Sequence, residues 1–466
     1  MRIAIAGASG FVGMHLIRHL GQSEHRVIAL SRSRIADLPE NAEWREADLF
    51  SQGSTQRALA GVDVAIYLVH SMLPSTSLFQ GSFHDTDLLL ADNFARACAT
   101  HGVQQILYLG GLLPEGHISP HLESRLEVEG VLKTAGIPVT IFRAGMIVGP
   151  GGSSFEILHT LVDRLPAMIL PSWTQKSTQV IFIDDVVRVL AIAVGDPRFS
   201  NRTINLVNGE ALRYEDLLRQ MARVLGVRRW MIPVPIRSTG FSKLWVTFFG
   251  KSNYELVSPL VDSLLCDLPS APPDEGIAPI IQWRSFEAMA LESLRRSPQV
   301  IFRKRPAGRI RQKTVRSIQR LPRVQRADSR WIATEYLRWL PRLFRSFIQV
   351  RSHEDSGTIS FHAFGISHPL LELRLIQDRD EPSRMKFHIT GGVLSATSHT
   401  GWLEFRQVQA GKYTLSAIHE FVPSLPWVIY RCTQAPLHAW VMRQFAEHLS
   451  HQQIHQKEGM LGEKDS

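Results

Sequence analysis

Gly7-Ala8-Ser9-Gly10-Phe11-Val12-Gly13 follows the apolar run Ile3, Ala4, Ile5, Ala6 without a pause, and its reading decides the fold. It reads as a strand, a tight turn and a helix over residues 10–20. Glycine suits such a turn, because a side chain either forbids a left-handed backbone or keeps the backbone away from a bound pyrophosphate. The helix that opens there points its free N–H groups and the positive end of its dipole at that anion. Three glycines alone are a weak signal. The context raises it: a second apolar strand over 26–30 comes on schedule, and strands then alternate with helices for about a hundred residues or more. Gly7, Ser9, Gly10, Phe11, Val12 and Gly13 are therefore candidate dinucleotide contacts.

Outward from this turn, the second strand runs into Leu30-Ser31-Arg32-Ser33-Arg34. A site selective for NAD places an Asp or Glu about there, some twenty residues beyond the glycines, to hold the ribose 2′-hydroxyl. None stands there. Ser31 and Arg32 offer hydroxyl and cationic donors suited to a 2′-phosphate, so NADP(H) is expected in preference to NAD(H). A third strand over 42–47 ends at Asp48-Leu49, and a fourth, apolar and β-branched, covers 63–69. It leads into Tyr67-Leu68-Val69-His70-Ser71-Met72, where Val69 and His70 are candidate contacts. A helix over 85–101, a strand over 104–109, a helix over 119–135 opened by Pro120, and a strand over 137–142 complete a parallel sheet with right-handed crossovers. Beyond it come Gly149-Pro150-Gly151-Gly152, where a substrate pocket is expected, then a strand over 178–183 and a helix expected to be capped by Asp184-Asp185.

The spacing G-x-x-G-x-x-G, with YLVHSM, YLGGLLP, SPHLESRLEVEG and TQVIFIDDV, resembles the extended and atypical short-chain dehydrogenase/reductases over about residues 1–290. The pieces look most like a bacterial subgroup related to NmrA-type regulators and to an accessory subunit of respiratory complex I. The resemblance implies a Rossmann-type doubly wound α/β fold that binds NAD(P)(H), with Asp48 beside the adenine edge and the loop at Val69-His70 under the nicotinamide ribose. Catalytic members use a Tyr-x-x-x-Lys pair and a Ser, and this chain departs from all three. No tyrosine occurs between Tyr108 and Tyr214, and Gly110-Gly111 stand where the Ser would end the fifth strand. On the next helix His121 stands for Tyr and Arg125 for Lys. An imidazole donates or accepts a proton near neutral pH, and Arg125, one turn on, is placed to bind ribose hydroxyls. His121 and Arg125 are the candidate catalytic pair; a surface histidine is the plainer alternative. Glu129, a further turn on, is expected to pair with Arg125.

At 466 residues the chain is too long for one ordinary core. Its apolar content of 44% and charged content of 20% are those of a globular protein. Three cysteines, an odd number, point to a reducing compartment and no disulfide frame. Met1 leads straight into the first strand, and no apolar run reaches the ~18 residues of a membrane span, so a cytoplasmic protein is expected. The net charge of +9 is uneven: residues 295–345 hold sixteen Lys/Arg against Asp328 and Glu335, a local +14, leaving −5 elsewhere. The reading here is a basic linker over 297–313, a strand over 314–321, and a helix capped by Asp328 and Ser329, on which Trp331, Ile332, Glu335, Tyr336, Trp339 and Leu340 recur at three- and four-residue steps until Pro341 stops it. This segment could touch a membrane surface or nucleic acid; in the plainer reading the stripe packs inward and the arginines are solvated.

Six alternating segments between 347 and 421 read as antiparallel strands, and Pro436 opens a closing helix. This order resembles the helix-grip domains of the START/SRPBCC superfamily, α+β folds that enclose a hydrophobic cavity. The expected division is a cofactor domain over 1–296, the linker, a helix-grip-like domain over 314–452 and a polar tail over 453–466. His419, His438, His451 and His455 form no metal constellation. The sequence points to an NADPH-dependent oxidoreductase acting on an apolar carbonyl or quinone-like substrate, with a small apolar molecule or lipid as ligand and no specific nucleic-acid partner. A redox-inert NADPH sensor or scaffold, and a membrane- or lipid-associated accessory protein, stay open beside it.

Overall fold

In the computed structural model, residues 1–70, 78–116, 118–235, 266–268, 270–296, 314–325, 327–345, 347–353, 357–376, 383–396 and 401–462 are described, with side chains to 452. The basic linker and Ser71-Met72 lie outside these residues. The chain divides into two compact units, Met1–Leu73 with Leu90–Lys304, and Pro74–Leu89 with Arg305–Ser466. The sequence reading keeps 74–89 inside the first domain; the structure places them with the second.

The first unit opens on Arg2–Ala6 (β1), Phe11–Leu20 (α1), Arg26–Ser31 (β2), Ala42–Glu46 (β3), Gln52–Leu59 (α2) and Val64–Tyr67 (β4). Leu78–Gln80 (β5) belongs to the second unit's sheet, and the unit boundary falls within the helix Phe83–Thr100 (α3). There follow Gln105–Gly111 (β6), Pro120–Lys133 (α4), Val139–Ala144 (β7), Met146–Val148 (β8), Ser153–Arg164 (α5), Ala167–Leu170 (β9), Ser177–Phe182 (β10), Ile183–Ile192 (α6), Thr203–Leu206 (β11), Ala211–Arg213 (β12), Tyr214–Val224 (α7), Trp230–Pro233 (β13) and Phe286–Arg296 (α8). Seven parallel strands run β11-β7-β6-β4-β1-β2-β3. Strands such as Val64-Ala65-Ile66-Tyr67 are buried at every position, as a sheet covered on both faces requires. This is a doubly wound Rossmann-type sheet, and its order reverses between β1 and β4, the place where such sheets hold ligands at the strand C-termini.

Two local expectations need correcting. Asp184 and Asp185 do not cap α6: its N-cap is Phe182, and both carboxylates lie in the first turn. Asp185 is buried against Arg188 at 2.9 Å and accepts the Gln282 N–H, while Asp184 takes Arg296 at 2.9 Å, so both fasten the chain around 280–296. Pro120, by contrast, opens α4 with Ser119 as N-cap, the Ser119 hydroxyl accepting the Leu122 N–H.

The second unit is β-rich. Val315–Leu321 (β14), the helix Ser329–Leu343 (α9), and Ile348–His353, Thr358–Ala363, Leu371–Ile376, Arg384–Gly391, Trp402–Val408 and Tyr413–Phe421 (β15 to β20) lead to Trp427–Cys432 (α10) and Gln434–Gly462 (α11). The eight-stranded sheet runs β15-β16-β17-β18-β19-β20-β14-β5 and is antiparallel except where β5 joins β14 in parallel. Asp328 caps α9 by accepting the Trp331 N–H at 2.7 Å, a bond worth about 1 kcal/mol. Tyr336 packs on Phe405 and Phe445, and Trp339 on Phe445, with ring centroids between 5.1 and 5.6 Å apart. The aromatic stripe thus faces the domain core, as the plainer reading has it. Pro341 does not stop α9, which runs two residues further before Arg345 turns out at φ +46°. The 453–462 stretch, read as a polar tail, continues α11.

Candidate functional site

Gly7 ends β1 at φ +87°, a backbone that favours glycine, and a Cβ there would stand 2.9 Å from the Leu68 carbonyl oxygen at the end of β4. The turn closes through the Gly10 N–H, which donates to the Gly7 oxygen at 2.9 Å, and Gly10 is the N-cap of α1. Gly13 lies under this turn: its Cβ would meet the Gly7 oxygen at 2.4 Å, so only glycine lets α1 come this close. Ser9 and Gly10 are exposed above the turn. The N–H groups of the first turn of α1 have no acceptor within the helix and point, with the dipole, at the switch point between β1 and β4. A cradle that a Cβ would fill, lined by helix N–H donors, fits the pyrophosphate of a dinucleotide.

Other candidates gather at the same strand ends. Arg32 is exposed just beyond β2. The Ser31 hydroxyl donates to the Ser33 carbonyl at 2.5 Å and accepts from the Trp44 indole at 3.0 Å, so it braces the turn that presents Arg32. Asp48 accepts the Phe50 N–H at 3.2 Å, and the buried Asn93 donates to the Leu49 and Phe50 carbonyls, setting the loop after β3. Phe11 and Val12 differ from Ser9 and Gly10 in being half-buried. The Phe11 ring lies against Gly149 and Gly152, in the glycine loop after β8, and edge-on to His15 at 5.3 Å. His15 donates to the Pro150 carbonyl at 3.2 Å, so one face of α1 holds that loop. His15 was not singled out from the sequence, although its place four residues after Phe11 puts it on the same face.

Val69 and His70 follow β4, and Arg125 of α4 reaches across to donate to the His70 ring. Burial first, then the Arg125 charge and His121, hold the His70 pKa well below its ordinary value, so the ring is neutral and accepts. His70, His121 and Arg125 therefore stand together, and His121 is buried rather than on the surface. Glu129 does not pair with Arg125. It receives Arg143 of β7 in a two-pronged ion pair at 2.8 and 2.6 Å, because Arg125 points toward β4 while Glu129 faces β7. At the end of β6, a Cβ on Gly111 would stand 2.6 Å from a Leu122 methyl, and one on Gly110 2.9 Å from the Tyr108 ring. The space for a catalytic serine side chain is thus taken by neighbours.

Residues 3–206 match the model of the NAD dependent epimerase/dehydratase family, and the first unit has a Rossmann-type α/β fold. The chain is 20% identical to a UDP-glucose 4-epimerase of Vibrio cholerae over 57% of its length and 87% of the relative's. It is 25% identical to a ceramide reductase of Caulobacter vibrioides over 50% of its length and 73% of the relative's. Uncharacterized relatives from Mycobacterium match across only 26% of their own length. Among solved structures, the Citrobacter sp. triphenylmethane reductase complexed with NADP(H) matches with a TM-score of 0.50 at 20% identity, over 63% of this chain and 100% of that one.

Proposed function

We propose that the first unit binds NADP(H) and reduces the carbonyl of an apolar substrate. The observation that carries the reading is the assembly of His70, Arg125 and a buried His121 at the C-terminal edge of the sheet that also bears the glycine cradle. In it, the N–H groups of the first turn of α1 hold the pyrophosphate, and Arg32 holds the 2′-phosphate. Neutral His70 fixes the Arg125 guanidinium, which is thereby oriented toward ribose hydroxyls. The bound nicotinamide supplies the hydride. His121 delivers the accompanying proton to the carbonyl oxygen, so that the product is an alcohol. Relatives named ceramide reductase and 2-alkyl-3-oxoalkanoate reductase support an apolar carbonyl substrate, while those named UDP-glucose epimerase leave a sugar nucleotide as the competing substrate class for the same assay.

One experiment tests the cofactor and the chemistry together: titration with NADPH and NADH, then NADPH oxidation over long-chain ketones, aldehydes and quinones. Arg32→Ala removes a charge-assisted hydrogen bond worth about 1.5–3 kcal/mol, so NADPH is expected to bind about ten- to a hundredfold more weakly while NADH hardly changes. His121→Ala is expected to keep NADPH affinity and to lose about a hundredfold in turnover. Wild type preferring NADH would refute the role of Arg32. Tight NADPH binding with no turnover of any substrate would instead establish a redox-inert sensor, the reading that the crowded Gly110 and Gly111 favour.

A further inference from the structure

Of the fifteen large apolar side chains that stand exposed among the described residues, eight gather at one end of the second unit's sheet. Phe364, 78% exposed, and Ile366 lie in the turn between β16 and β17, and the Phe364 N–H donates to the carbonyl of exposed Phe347, just before β15. Val393, after β18, is tied to Pro369 by its N–H at 3.0 Å. The neighbouring Leu394 accepts from Ser424, in the segment that leads to Val428 and Ile429 on α10. Leu437 and Trp440 continue the rim on α11, where the Trp440 ring meets Phe344 at 6.1 Å. The antiparallel register brings the ends of β16, β18 and β20 together here, so apolar tips from separate loops share one surface.

We propose that this rim docks the protein on an anionic lipid bilayer. Charge decides for this occupant. Residues 341–350, 361–370, 391–396 and 421–446 contain Arg342, Arg345, Arg431 and Arg443 and no Asp or Glu; three carboxylates border them, Glu372 beside Gly391, Glu420 paired with Arg316, and Glu447, so the rim carries a small positive excess. All four arginines are exposed. Apolar tips that enter the boundary between headgroups and acyl chains, flanked by guanidinium groups that pair with lipid phosphate, are what an interfacial surface needs. Monomeric proteins rarely leave a patch of this kind to water. The rim is separate from the aromatic stripe of α9, which faces inward, and the inference does not rest on the cofactor reading.

The test is flotation of the full chain with vesicles of phosphatidylcholine containing phosphatidylglycerol, against phosphatidylcholine alone. Binding is expected on the anionic vesicles and is expected to drop about tenfold or more when salt is raised to about 0.5 M. The double change Phe364→Asp with Val428→Asp is expected to lower it by about tenfold or more. Both side chains are already exposed, so the melting temperature should stay put. Trp283→Asp, an exposed apolar site in the other unit, should leave binding unchanged. No flotation at low salt, or flotation indifferent to the double change, overturns the proposal. So does a wild-type dimer that the double change converts to monomer without any vesicle binding, an outcome that assigns the rim to a second copy of the chain.

Discussion

Burial alone pulls His438, near the start of α11, down to a pKa of about 4. In the unfolded chain the same imidazole titrates near about 6.5, so the folded state prefers the neutral ring. That preference is fully present above about pH 6.5 and is lost as pH falls toward 4, a contribution of about 3 kcal/mol. His15, His70 and His419 are lowered too, burial being the largest cause in each, so they act in the same direction. The melting temperature is expected to fall between pH 6.5 and 4, and His438→Leu to flatten that slope; an unchanged slope in calorimetry would refute the assignment. Single residues differ in how far the sequence reveals them. Gly7 and Gly13 were legible because their constraint comes from a turn a few residues long. The partner of Glu129 was not, because Arg143 lies on another strand and only the packing of α4 over β7 brings the two together.

At the scale of elements, the closest backbone approach at the cradle is between α1 and β1. A methyl at Gly13 would stand 2.4 Å from the Gly7 oxygen, which is backbone and has little freedom to yield. Gly13→Ala is therefore expected to cost about 2–4 kcal/mol in urea unfolding and to weaken nucleotide binding with it. Unchanged stability would mean that α1 is free to slide. Elements with a long apolar run or a marked stripe, such as β1, β4 and α9, could be read directly, since both record what is buried. Ends set by single groups were read unevenly: Pro120 and Asp328 were placed rightly, Asp184-Asp185 and Pro341 were not. Asp184-Asp185 has the composition of a cap but sits just past it, within the first turn of α6, and Pro341 falls in the last turn of α9, where its missing N–H costs one bond and little helix is left to break. Short β8 and β9 carry too few residues to show a period.

At the scale of the whole molecule, the sheet of the second unit takes β5 from residues 78–80, far ahead of β14 in the chain. Leu78, Phe79 and Gln80 pair with Val315, Arg316 and Ser317, Gln80 donates to the Ala435 carbonyl at 2.8 Å, and Arg320 donates to Asp85 at 2.9 Å. A piece comprising residues 314–466 alone therefore lacks its edge strand and leaves the far side of β14, beyond its pairing with β20, open to aggregation. It is expected to aggregate on warming and to recover when residues 74–89 are joined to its front, with light scattering as the readout. A soluble, cooperatively melting piece without them would show β5 to be dispensable. Nothing in the composition of Leu78-Phe79-Gln80 announces this role, because three residues are too few for a pattern and their partner lies elsewhere in the chain. The arrangement also has a timetable. Asp85 leaves the ribosome 235 residues before Arg320, which at about 5–20 residues per second is a wait of roughly 12–47 s. For that interval residues 78–80 are in a nascent chain whose partner strand has not yet been made.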